Sequence, residues 1–257
     1  MPESSPIKTA LVTGGAKRLG RSIALALAEN GWDIAIHCHR SKDEGEATAA
    51  EIRKLGRRAA VIEADLGKES AVETVIPKVH AALGPLTCLV NNASVFEMDK
   101  IETVTRESWD RHIETGLRAP LVLAQAFARQ LSEGNDGNIV NMLDQRVWKL
   151  TPYFLSYTVA KTGLWTLTRT LALALAPRIR VNGIGPGPTM PSPRQSAAQF
   201  NAQSTAVPLG HGATPEEIAA GVLFILSSPS MTGQMIALDG GEHLGWQQSV
   251  KGFKPSE

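Results

Sequence analysis

Short apolar runs rich in β-branched residues alternate with longer segments of helical period along the whole 257-residue chain, and this alternation most restricts the fold. A strand, a helix and a further strand, repeated, bury themselves as a doubly wound parallel sheet with helices on both faces, an α/β architecture. Strands are expected over residues 7–12, 32–37, 59–63, 87–91, 138–142, 179–183 and 235–238, about seven in all. Helices are expected over 19–30, 43–55, 69–83, 106–132, 154–176 and 215–227, several closed by Asn30-Gly31, Gly56 or Gly84-Pro85. One domain spanning 1–257 suits this length. The rhythm breaks at 185–213, a Gly-, Pro- and Ser-rich stretch too long for an ordinary connection. A lid is expected there, with a substrate-loop insertion at about 189–211.

Composition narrows the function by exclusion. A net charge of +1 and a pI near 7.8, with no run of like charges, give no reason to expect a nucleic-acid partner. Cys38 and Cys88 lie in strand-like segments rather than in a spaced framework, which fits inert packing residues in a reducing compartment. The opening "MPESSPIKTA" has neither the basic start nor the apolar core of a signal peptide, and no apolar run reaches spanning length. A cytoplasmic protein without a membrane partner is the expectation, and no metal-ligand cluster is read from the sequence.

The first strand runs into "TGGAKRLG" and a helix, the Rossmann-type geometry in which free backbone N–H groups and the helix dipole hold a pyrophosphate. Gly14, Lys17, Arg18 and Leu19 belong to that turn. The end of the second strand then discriminates between dinucleotides: an acid there accepts from a ribose 2′-hydroxyl, whereas a 2′-phosphate needs cations. This chain carries His37, His39, Arg40 and Ser41 there, and its Asp33 stands at the other end of the strand. The expected cofactor is NADP(H), with Lys17 and Arg18 converging on the same corner. Asp65 and Leu66 follow the third strand, where a carboxylate can accept from an adenine amino group. Asn91, Asn92 and Ala93 end the fourth, where small residues let a ribose approach the backbone.

These tokens, together with Tyr157-x-x-x-Lys161 and "IRVNGIGPGPT", are similar in order and spacing to the short-chain dehydrogenase/reductase family across nearly the whole chain. Within it the chain resembles the pteridine reductases, through "TGGAKRLGRSIA", "HCHRS", "NNASVF" and "NMLD" with thirteen residues from Asp144 to Tyr157. The resemblance implies NADPH-dependent reduction of a pteridine and a homotetramer. It also implies that Phe96 stacks on the pterin, that Arg18 and Ser94 contact cofactor phosphate and the pterin edge, and that Pro186, Gly187 and Thr189 hold the nicotinamide carboxamide.

The chemistry has its own logic. Tyr157 and Lys161 lie one helical turn apart and point the same way. The lysine ammonium, with an oxidised nicotinamide, is expected to lower the tyrosine pKa below about 10. Asp144 stands where the wider family usually has serine. An ionised carboxylate would repel a developing oxyanion, so an acid fits only if it is protonated or if the substrate offers a nitrogen. Reduction of a pteridine C=N bond meets that condition, with a proton delivered to ring nitrogen by the Tyr157 and Asp144 couple, and like-charge proximity is expected to raise the carboxyl pKa.

One departure from the family pattern is Gly116, where relatives carry an asparagine in a proton relay reaching the lysine; either Thr115 compensates or turnover is slower. Two other readings remain open: an NADPH-dependent ketone or 3-oxoacyl-thioester reductase, and a catalytically weak NADP(H)-sensing protein. The extra apolar surface of the helices at 106–132 and 154–176 points to subunit contacts, and the C-terminal "LDGGEHLGWQQSV" is expected to reach a neighbouring site.

Overall fold

The computed structural model of the chain describes residues 8–245. Position 7 of the first expected strand and the end of the C-terminal segment, 246–250, fall outside them. The chain runs β1 (Thr9–Val12), α1 (Arg18–Glu29), β2 (Asp33–Cys38), α2 (Lys42–Lys54), β3 (Ala59–Glu63), α3 (Glu69–Val72), α4 (Val75–Leu83) and β4 (Cys88–Asn91). It continues through α5 (Arg106–Ile113), a π-helical turn (Glu114–Arg118), α6 (Ala119–Gln130), β5 (Gly137–Met142), α7 (Leu155–Leu175), β6 (Ile179–Pro186), α8 (Ala197–Thr205), α9 (Pro215–Ser227) and β7 (Met235–Leu238).

The seven strands form one parallel sheet in the order β3-β2-β1-β4-β5-β6-β7. Register matches Val12 with both Ile36 and Val90, so the carboxyl ends of β1, β2 and β4 lie side by side. The order reverses at β1, and the crevice at such a switch point is where open α/β sheets receive ligands. Strands β1, β2 and β4 are buried along their whole length, because helices cover both faces. One core layer joins Leu11, Leu89 and Ile139 to α4 and α6 through Val79, Leu123 and Phe127. The other joins Val12, Ile36 and Val90 to α1 and α9 through Ile23, Leu27 and Val222.

The differences from the sequence expectation have local causes. The segment 69–83 is two helices, with Thr74 donating its hydroxyl back to the Ala71 carbonyl at 2.8 Å between them. The long helix at 106–132 is interrupted by the π turn, in which Gly116 is buried. Its broadened turn survives without an asparagine side chain; a β-carbon at Gly116 would sit 3.3 Å from that of Ala160 on α7. The stretch 185–213 is not all loop: α8 lies inside it, started by a capping box in which Ser196 and Gln199 each accept from the other's backbone N–H. Cys38 and Cys88 are free and buried, and burial pushes the Cys88 thiol up to about 12. No helix among the described residues is long and apolar enough to cross a membrane, and no group of metal-ligating side chains occurs among them.

Candidate active site

The turn after β1 is built for close backbone approach. Gly14 adopts φ +64°, and a β-carbon on Gly20 would lie 2.2 Å from the Gly14 carbonyl oxygen. Thr13 Oγ1 accepts from the backbone N–H groups of Asn92 and Ala93, both at 2.9 Å, which ties the end of β4 to this turn. The resulting groove encloses about 1050 Å³ and is lined by Gly14, Lys17, Arg18, Leu19, His37, His39, Arg40, Ser41, Asp65, Leu66, Asn92, Ala93 and Ser94. The dinucleotide residues expected after β1, β2, β3 and β4 therefore meet in one place. Asp33 sits at the opposite end of β2 with Arg57 and Arg58 on its carboxylate, both at 2.7 Å.

His37 requires a correction. Its Nδ1 accepts from the Gly14 N–H at 3.2 Å and its Nε2 lies 3.0 Å from the Ala64 carbonyl, to which it donates. It is 2% exposed, and burial pushes its pKa down to about 4. It braces the glycine turn as a neutral ring and offers no cation to a phosphate. Arg40, His39 and Lys17 are at least partly exposed at the groove, and Arg40 has no carboxylate within ion-pair distance among the described residues. Asp65 also serves its own turn, its Oδ1 accepting from the Gly67 N–H at 3.0 Å.

A second cavity of about 870 Å³ adjoins the first through Arg18 and holds Phe96, Asp144, Tyr157, Gly187 and Thr189. Lys161 lies behind Tyr157, and Pro186 ends β6 outside both cavity linings. The Tyr157 hydroxyl donates to Asp144 Oδ2 at 2.8 Å, so the thirteen-residue step does join the two groups. Lys161 Nζ donates to the Met142 carbonyl at 2.6 Å and lies 5.7 Å from the tyrosine ring centre. Burial pushes Lys161 down to about 8.

The expected lowering of the tyrosine pKa is reversed by these protein groups. Burial, together with the adjoining Asp144 carboxylate, holds the phenol well above its ordinary value. Tyr157 is thus a protonated donor in this arrangement.

The sequence reading also overlooked Arg146. Its backbone N–H donates to Asp144 Oδ1 at 2.8 Å, and its Nη1 reaches the two carboxylate oxygens at 3.2 and 3.1 Å. The carboxylate has a buried cationic partner, so like-charge proximity with Tyr157 is not its whole environment. An Asp-x-Arg spacing at a strand end was the available signal. Phe96 lines this cavity with one face already stacked on Phe154, with centroids 4.5 Å apart and planes 7° off parallel, and Tyr157 meets it edge-on at 4.8 Å. Phe154 has φ +59°, a left-handed conformation costly for an aromatic residue. The 187–212 loop is fastened across the site by Arg18, which donates to the Pro191 carbonyl at 2.7 Å, and by Arg194, which donates to the Phe96 carbonyl. Ser94 and Thr189 donate locally, to the carbonyls of Val95 and Gly187.

A family model described as short chain dehydrogenase matches residues 8–201. The chain belongs to the short-chain dehydrogenase family. Family members it resembles include the 3-oxoacyl-[acyl-carrier-protein] reductase FabG of Staphylococcus epidermidis, 32% identical over 92% of this chain and 99% of the relative. The crystal structure of FolM alternative dihydrofolate reductase 1 from Brucella canis, complexed with NADP, is 48% identical, with a TM-score of 0.91 over 95% of this chain and 97% of that one. A blue fluorescent protein from a metagenomic library, in complex with NADPH, is 31% identical with a TM-score of 0.85, over 92% and 98% of the two chains.

Proposed function

We propose that the chain is an NADPH-dependent reductase of a C=N bond in a pteridine, a dihydropterin or dihydrofolate. The observation that carries this reading is the Asp144 carboxylate accepting from the Tyr157 hydroxyl at 2.8 Å, where the wider family usually places a neutral serine. The FolM neighbours, named as dihydrofolate reductases and bound to NADP, support the substrate class. The cofactor is NADP(H). The glycine cradle at Gly14 and Gly20 and the cationic end of β2 fit a phosphorylated dinucleotide, with Arg40, His39 and Lys17 meeting the 2′-phosphate and Asn92, Ala93, Gly187 and Thr189 flanking the ribose and nicotinamide.

When bound, the reduced cofactor supplies the hydride to ring carbon. Tyr157, kept protonated by burial, gives its proton to the adjacent ring nitrogen, and Lys161 restores it. Asp144 orients the phenol and accepts from N–H groups of the heterocycle, while Arg146 compensates its charge so that a carboxylate can remain in a buried site. Phe96 offers a flat apolar wall, and Arg18 and Ser94 bridge the two cavities. Glycine at 116 leaves the π turn intact, so its backbone carbonyl, with Thr115 nearby, is what any water relay to Lys161 would use.

FabG relatives at 32% identity favour a second reading, reduction of a 3-oxoacyl thioester with the same Tyr157 and Lys161. Assembly as a homotetramer is supported by apolar side chains left outside on α7 and α9, with Leu173 82% and Phe224 54% exposed. A steady-state panel of dihydropterins, dihydrofolate and an acetoacetyl thioester, each with NADPH and NADH, separates the readings. Consumption of NADPH with the bicyclic substrates is expected. A thioester that outcompetes all of them would overturn the pteridine assignment.

A further inference from the structure

Beneath Phe96 and Tyr157 lies a cluster of polar side chains in which Asp99 is 3%, His112 1% and Ser156 0% exposed. None of them lines either cavity. Helix α7, which carries Tyr157, starts at Phe154 without a side-chain cap of its own. Asp99, 57 residues earlier in sequence, supplies what is missing: its Oδ1 accepts from the Ser156 N–H at 3.2 Å and its Oδ2 from the Ser156 hydroxyl. Its backbone carbonyl accepts from the Leu155 N–H at 3.3 Å. An anionic acceptor at the first turn is also favoured by the helix dipole.

His112 on α5 locks the other side. Its Nδ1 lies 2.9 Å from the Ser108 carbonyl, which can only accept, so Nδ1 carries the proton; it is also 2.7 Å from Ser156 Oγ. Nε2 then accepts from the Glu97 N–H at 3.2 Å. One imidazole therefore joins the residue after Phe96 to the residue before Tyr157. The His112 ring also meets the Tyr157 ring edge-on, 6.1 Å between centres. Hydroxyl and imidazole groups this deep are costly to bury unless satisfied, and here every one has a partner.

We infer that Asp99, Ser156 and His112 are positioning residues, a clamp that sets the distance between the Phe96 wall and the Tyr157 hydroxyl. The inference rests on the reading above only in taking those two residues as the substrate site. Phe96 stands on a loop and Tyr157 on a long helix, and this cluster cross-links the two through satisfied polar side chains. Without it the wall would be held to the proton donor by ring contacts, which resist sliding less than directional hydrogen bonds do, and small misplacements of reacting groups cost rate steeply.

The variants Asp99→Ala, Asp99→Asn and Ser156→Ala test this on the full chain. In Asp99→Ala, kcat/KM for the substrate the wild type turns over should fall about ten- to a hundredfold, with KM for NADPH within about twofold of wild type. Asp99→Asn, which keeps an acceptor for the Ser156 N–H, should recover part of that loss. Hydrogen exchange of the 153–161 segment needs no turnover, and should accelerate in Asp99→Ala and Ser156→Ala while the β1 to α1 segment stays protected. Failure of the wild type to reduce any pteridine would count against the proposed reaction alone, because the exchange measurement still judges the clamp. Folded variants that bind NADPH, exchange like wild type at 153–161 and retain kcat/KM within about twofold would overturn it.

Discussion

Arg146 Nη1 lies 3.2 Å from Oδ1 and 3.1 Å from Oδ2 of Asp144, and both side chains are largely withdrawn from solvent, at 15% and 11% exposure. Removing one partner of such a pair strands a charge, whereas removing both does not. Arg146→Met is therefore expected to lose about 3 kcal/mol of stability, and the Asp144→Asn, Arg146→Met double variant substantially less than the sum of the single losses. Urea unfolding of the four proteins checks the cycle.

Asp144→Ser restores the neutral hydroxyl usual in the wider family. Turnover of dihydropterin should drop by at least about tenfold, equivalent to about 1.4 kcal/mol of barrier, while turnover of an acetoacetyl thioester holds or rises. Pterin reduction that continues at the wild-type rate would remove Asp144 from orienting the phenol and the heterocycle.

The pH dependence of reduction follows from Lys161. Restoring the proton to Tyr157 requires the ammonium form, and burial sets that group near 8. The turnover number should be flat below about pH 8 and decline above it. The same depression has the opposite effect on folding: unfolded lysine binds a proton between about 8 and 10.5, so this group's contribution to stability is lost below the depressed value and gained as pH rises through the window. Stopped-flow turnover and denaturant midpoints across pH 7 to about 10 read the two trends separately.

His37 makes a distinct prediction at acid pH. The unfolded imidazole takes a proton near 6.5, whereas the buried one resists until about 4, so stability falls as pH falls through that interval, by about 3 kcal/mol in total. His37→Gln should be less stable at neutral pH and should flatten this slope, as denaturation midpoints at pH 7, 5.5 and about 4 would show.

At the cationic end of β2, Arg40→Ala should raise KM for NADPH about tenfold or more and leave KM for NADH nearly unchanged, because a charge-assisted bond to phosphate is worth about 1.5–3 kcal/mol. Equal losses with both cofactors would place the 2′-phosphate elsewhere.

Much of this architecture was legible from pattern. Ala59–Glu63 and Pro215–Ser227 fall where the sequence reading put them, since the first is a short apolar run between turn signals and the second begins at a Thr-Pro-x-Glu capping box. Helix α8 escaped because it has no buried face for periodicity to reveal; only Ser196-x-x-Gln199 marked it. Within the site, Tyr157, Lys161 and Asp144 were legible because their spacing is local to one strand, one turn and one helix. The neutral bracing role of His37 was not, because it depends on Gly14 and Ala64, which lie 23 and 27 residues away in sequence. Arg146 was hidden for a different reason: only the tight turn after β5 folds its side chain back onto the acid two positions earlier.

The two arginine fastenings of the 187–212 loop both end on main-chain oxygens, those of Pro191 and Phe96. The side chain at position 191 is thus free to diverge in shape and polarity without unhooking the entrance, whereas gaining or losing a single residue on either side would carry the acceptor out of reach. Substitutions there would retune what the doorway admits, and changes in length would decide whether it shuts.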